Sequence, residues 1–144
     1  MTGYPYPDAL WVLEVPEATP SLNEFANKRS KFIYGRIRAR WFRLLRDAWM
    51  DALRTRRQPN WAAPPRARLT VYRISTRQLD DDNAAGGLKP VLDVLRTLGF
   101  IRDDSPTTLR LTVHQQLTPP GATRKGGTLL VLEHWPADVP KEAA

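Results

Sequence analysis

The sequence predicts a two-layer α/β (α+β) domain, a mixed β-sheet of about four strands packed against two main helices in the order β-α-β-α-β-β. Three observations predict it. Four short runs are rich in apolar, β-branched and aromatic residues, two of them alternating in polarity. Two longer runs carry apolar residues at three- and four-residue steps. Clusters of proline, glycine and asparagine separate them. At 144 residues the chain fits one domain, 1–144, large enough to bury a core, with 1–10 and 136–144 as loose tails.

Trp11-Val12-Leu13-Glu14-Val15, halted by Pro16, reads as the first strand, and Thr19 to Asn23 as a turn. From about Lys28 to Arg57, Tyr34, Ile37, Trp41, Leu44, Leu45, Ala48 and Ala52 make one apolar stripe of a long helix. Arg36, Arg40, Arg43 and Asp47 share another face, and Gln58-Pro59 ends the helix. After a proline-bearing loop, residues 67–75 alternate as a strand. Leu69, Val71 and Arg73 point one way, Thr70, Tyr72 and Ile74 the other. Leu88, Val91, Leu92, Leu95 and Leu98 repeat at helical spacing until Gly99. Leu109, Leu111 and Val113 alternate with Arg110, Thr112 and His114 in a third strand. A hairpin-like loop, Pro119 to Gly127, leads to a fourth strand at Thr128 to Trp135. No internal repeat is visible.

Composition removes several classes of function. Without cysteine there is no disulfide framework, thiol nucleophile or thiolate zinc site, and two histidines do not make a His-rich metal site. No apolar run approaches the ~20 residues of a membrane span, and the N-terminus lacks a secretory pattern. A soluble, cytoplasmic domain is expected. Charge is more informative. Residues 1–79 carry 15 basic and 6 acidic side chains, residues 80–104 carry 3 and 6, and the whole chain is +7. A basic protein with one concentrated acidic segment suits a metal-dependent enzyme acting on a polyanion. Cations attract a phosphate backbone, and a divalent ion relieves the repulsion among clustered carboxylates.

The acidic segment runs Asp80-Asp81-Asp82-Asn83, then Lys89, Asp93 and Asp103-Asp104. At the end of an extended segment, Asp80 and Asp82 share one side and Asp81 faces away. Asp103-Asp104 follows the intervening helix, which returns the chain toward Asp80 only if the next strand lies beside the previous one. Hard oxygen ligands of this kind suit magnesium, which lowers the pKa of a bound water and stabilises charge on a phosphoryl oxygen. A solvated turn or a helix cap supplied by Asn83 or Asp82 is the alternative. The calcium-loop pattern fails at Ala85 and Val91, and Gly86-Gly87-Leu88-Lys89 lacks phosphate-loop spacing. Lys89 either pairs with Asp93 one helical turn on or points back at the acids. Pro90 beside it requires the first turn of a helix.

Together, D-x-D-N (Asp80, Asp82, Asn83), K-x-x-x-D (Lys89, Asp93) and L-G-x-I-x-D-D-S (Leu98, Gly99, Ile101, Asp103, Asp104, Ser105) resemble the RusA family of Holliday-junction resolvases. Pro20-Ser21-Leu22-Asn23 resembles the family's P-S-x-N element. The resemblance runs from about Trp11 to the last strand. It implies a homodimeric, Mg²⁺-dependent endonuclease, with Mn²⁺ able to substitute, cutting symmetric strands of a four-way junction. Asp80, Asp82 and Asp104 would be the catalytic aspartates, Asp103 a further candidate ligand, and Lys89 the catalytic lysine. One departure is the spacer from Asn83 to Lys89, three residues longer than in the best-known resolvase and containing Gly86-Gly87. Arg36, Arg38, Arg40, Arg43, Arg124 and Lys125 are candidate DNA-backbone contacts. Trp41 and Trp49 are expected as core or dimer anchors rather than base-stacking residues. No nucleotide cofactor is expected, for want of a glycine-rich phosphate loop. A non-catalytic branched-DNA-binding module is the competing expectation.

Overall fold

The computed structural model describes residues 6–26, 30–56, 61–119, 121 and 126–135. Strand β1 (Trp11–Val15) leads through a single 3-10 turn (Leu22–Glu24) into helix α1 (Ser30–Arg56). Strand β2 (Ala67–Ser75), helices α2 (Asp81–Gly86) and α3 (Lys89–Thr97), then strands β3 (Leu109–Leu117) and β4 (Gly126–His134) follow. The architecture is the expected mixed α+β one, a four-stranded sheet beneath a helical layer. The short α2, within the acidic segment, is additional to the two main helices.

The sheet runs β1-β4-β2-β3, with β4 antiparallel to both neighbours and β2 parallel to β3. This overturns the hairpin-like reading of Pro119 to Gly127. β4 does not fold back on β3 but crosses to insert between β1 and β2, pairing Leu130 with both Leu13 and Val71. The reason is burial. Leu130, Val131 and Leu132 are apolar on both faces of the strand and fully covered, which suits a central position and not an edge.

The period-2 alternation of β2 aims Leu69 and Val71 at the helices. Leu13, Leu130 and Leu132 from neighbouring strands join them there, against Trp41 and Leu45 of α1 and Val91, Val94 and Leu95 of α3. Trp41 and Trp49 behave as expected of core anchors. Trp41 is buried, and Trp49 stacks on Phe100 with centroids 4.0 Å apart at 15°. Trp61 meets Trp49 edge-on and donates its indole N–H to Gly99 O at 3.0 Å, while Trp11 donates to Phe100 O at 3.1 Å. These contacts hold the end of α3. The helix closes as Gly99, at φ +78°, lets its own N–H reach Arg96 O and that of Phe100 reach Leu95 O. Pro90 occupies the first turn of α3, as its missing N–H requires.

Candidate functional site

The DDDN run is a helix start and not an extended segment. Two amide hydrogen bonds set it up. Gln115 accepts from Leu79 N and donates to Leu79 O, both at 2.8 Å, fastening the approach to the acids onto β3. Asp80, at φ −66° and ψ 161°, is then the N-cap of α2. One oxygen accepts from Asn83 N at 2.8 Å and the other from Asn83 Nδ2 at 3.2 Å. Asp81 and Asp82 occupy the first turn, where the helix dipole favours negative charge. The extended run expected to set Asp80 and Asp82 on one side therefore ends at Asp80, and Asp82 lies in the first turn of a helix. Asp82 is exposed and takes part in no ion pair among the described residues.

A second acidic group gathers at the other end of the crossover. Arg96, in the last turn of α3, lies 3.8 Å from one carboxylate oxygen of each of Asp93, Asp103 and Asp104. Its half-exposed guanidinium makes each pair weak, yet it offsets the repulsion among three carboxylates. Asp103 also accepts from Asp104 N at 2.8 Å. Lys89 neither pairs with Asp93 nor reaches the DDDN carboxylates. Its Nζ stands 6.0 Å over the ring of Tyr34, and it enters no ion pair among the described residues.

The two acidic groups do not converge within one chain. β2 and β3 are parallel and in register from Ala67↔Leu109 to Ser75↔Leu117. Asp80 lies beyond the end of β2, whereas Asp103-Asp104 lies before the start of β3. Nine-residue strands at about 3.3 Å per residue hold those ends roughly 25 Å apart along the strand direction. A parallel pair obliges the crossover to carry the chain back to the start of the sheet. The helix does return the chain, but to the opposite end from Asp80. No three His, Asp or Glu side chains come together as a metal cage among the described residues. One chain alone therefore does not fit a Mg²⁺ ion held by Asp80, Asp82, Asp103 and Asp104.

Tyr34 ties α1 to the crossover. Its hydroxyl donates to Asp93 Oδ2, its ring meets Phe25 edge-on at 5.3 Å, and one turn on Arg38 donates to Thr97 Oγ1 at 3.0 Å. Burial, then the bond to Asp93, holds the Tyr34 pKa well above the usual phenol value. A raised folded-state pKa means that the unfolded chain loses its proton first. Tyr34 thus contributes stability that is complete below pH ~10 and declines as pH rises from there toward the raised value. Tyr34→Phe is expected to flatten the alkaline limb of a pH series of denaturant midpoints. An unchanged slope above pH ~10 would place that limb elsewhere.

Among the arginines expected to contact DNA, Arg36 and Arg43 are exposed on α1 and flank a groove of about 380 Å³ with Ile37, Ala39 and Arg40. Arg40 spends its charge on Glu17, donating from Nε to both carboxylate oxygens at 2.7 Å; this bond raises the Arg40 pKa. Arg124 and Lys125 lie outside the described residues. Arg73 is a charge in the row of β2 residues that faces the core with Leu69 and Val71. It is 8% exposed, donates to Thr19 O at 2.9 Å and Arg77 O at 3.2 Å, and burial lowers its pKa. Those bonds attach the Pro20-Ser21-Leu22-Asn23 element and the approach to the acids to the same strand.

No protein-family model matches the chain, and none of the curated proteins compared with it matches. Among the described residues no helix is long and apolar enough to cross a membrane.

Proposed function

We propose that the protein is a magnesium-dependent, structure-selective DNA endonuclease of the RusA type. It resolves four-way junctions or other branched DNA as a homodimer, by phosphodiester hydrolysis. The observation that carries this reading is the D-x-D-N, K-x-x-x-D and D-D-S pattern on a chain of net charge +7. A protein that only bound phosphate would gain nothing from carboxylates at both ends of its crossover. Because those carboxylates stand apart within one chain, the proposed site is completed by a second copy. Asp80 and Asp82 of one protomer face Asp103 and Asp104 of its partner. A twofold axis makes two such sites at once, since a contact from one group to the other is repeated in reverse. Two equivalent sites suit paired cuts on symmetric strands. Magnesium held there, with Mn²⁺ as substitute, would activate water and neutralise charge on the scissile phosphate.

The exposed arginines of α1 supply sequence-independent backbone contacts. Junction affinity is therefore expected to fall steeply as salt rises, with a slope near the number of phosphates neutralised. A flat response in a salt titration counts against DNA as the partner. Incubating the protein with labelled four-way junction, flap and linear duplex, with and without Mg²⁺, tests the activity. Cleavage confined to branched DNA and dependent on the metal supports it. Tight junction binding without cleavage in Mg²⁺ or Mn²⁺ supports the second reading, a non-catalytic branched-DNA-binding module. The separation of the acids within one chain is the observation that favours that alternative.

A further inference from the structure

The face of the sheet turned away from the helices carries rings and cations that the nuclease reading leaves unused. Its parity follows from the register. Leu69 and Val71 face the core, so Arg68 and Tyr72 of β2, and Arg110 and His114 of β3, face outward. Tyr72 and His114 are direct cross-strand partners, and their rings stack with centroids 5.2 Å apart at 22°. Tyr6 adds a third ring 6.1 Å from that of Tyr72, and the bond between the two side chains, then burial, pushes the Tyr6 pKa up to about 12. The row ends at an open edge. β3 is the outermost strand, His114 is exposed, and no ring covers its other side among the described residues.

Beside the rings lies unneutralised positive charge. Arg110, about 13 Å back along β3, and Arg66 bracket the ring of Trp135, at 5.5 and 4.0 Å from its centroid. Arg68 is matched by Glu133 at 3.0 Å, whereas Arg66 and Arg110 enter no ion pair among the described residues.

We propose that the exposed β3 side of this sheet face binds single-stranded nucleic acid, with an unpaired base stacking on the open side of His114 and phosphates engaged by Arg66 and Arg110. Stacking on an aromatic row selects unpaired bases, since those in a duplex are already covered by their neighbours. The cations select a polyanion over an apolar peptide. The His114 ring faces away from the helical layer, across the sheet from Asp81 and Asp82 on α2.

Fluorescence anisotropy of the full chain with labelled mixed-sequence single-stranded DNA, and with the matching duplex, tests the proposal in buffer free of divalent metal. His114→Ala is expected to weaken single-strand binding about tenfold and to leave duplex binding nearly unchanged. His114→Tyr, which keeps a stacking face, restores it, and Arg110→Ala lowers the salt slope by about one. An unchanged thermal midpoint for His114→Ala shows that the fold is intact. The proposal is overturned if His114→Ala leaves single-strand affinity unchanged or weakens both DNAs equally. It is also overturned if sedimentation shows this face joining two copies of the chain without binding any oligonucleotide. Junction cleavage, read in parallel, reports on the nuclease proposal alone, so the two can fail separately.

Discussion

Mixing Asp82→Asn chains with Asp104→Asn chains is expected to restore magnesium-dependent junction nicking that neither variant shows alone. The expectation rests on the distance the parallel β2–β3 pair imposes between the two acidic groups. If each site draws Asp80 and Asp82 from one protomer and Asp103 and Asp104 from the other, a mixed dimer keeps one site intact and loses the other twice over. It nicks one strand and does not complete the symmetric pair of cuts. Each single variant is expected to lose about a thousandfold in rate, because a metal ligand supplies several kcal/mol of transition-state stabilisation. The fold tolerates Asp82→Asn. The side chain is exposed, and losing its charge near the start of α2 costs about 0.3–1 kcal/mol. Junction binding is expected to persist. Recovery in the mixture identifies shared sites. Two dead variants that stay dead when mixed rule sharing out, and a variant that still cleaves removes its aspartate from the chemistry.

Gly87→Ala is expected to destabilise the protein by about 3 kcal/mol or more, read as a fall in denaturant midpoint at unchanged slope. Gly87 has φ −66°, which any residue adopts, so the cost is not conformational. It is steric. A Cβ there would lie 1.8 Å from Pro20 O and 2.7 Å from Pro20 C, both backbone atoms that cannot turn aside. The junction of α2 and α3 would have to lift from the Pro20-Ser21-Leu22-Asn23 element, which Gly86 also meets closely at Leu22. Gly99→Ala is the informative contrast. A Cβ at Gly99 meets nothing within 4 Å, but φ is +78°, so the cost is the left-handed conformation alone, about 1–2 kcal/mol. If the two substitutions cost the same, the close approach at Gly87 is not what holds the junction.

This contact also gives a physical sense to Gly86-Gly87 between Asn83 and Lys89. Gly87 lets the crossover touch the chain after β1. The spacer does not carry Lys89 to the DDDN carboxylates. It separates two short helices, and Lys89 starts the second one over Tyr34. The acid pair was misread for a related reason. An extended run was expected there, and the cap formed by Asp80 with Asn83 starts a helix instead.

Local pattern alone was enough to delimit β1 and β2, to place α3 within a residue, and to put Trp41 on the apolar stripe of α1. Those features depend on side-chain periodicity and on stops such as Gly99, which act over a few residues. The order β1-β4-β2-β3, the absence of a β3–β4 hairpin and the distance between Asp80 and Asp104 were settled only by tertiary structure. Strand order results from which apolar faces are best buried by partners far away in the chain; the unbroken apolar run of β4 suits a central place but does not say between which strands. The Tyr72–His114 stack belongs with these. Each ring is visible in its own strand, but only parallel pairing in that register sets one against the other.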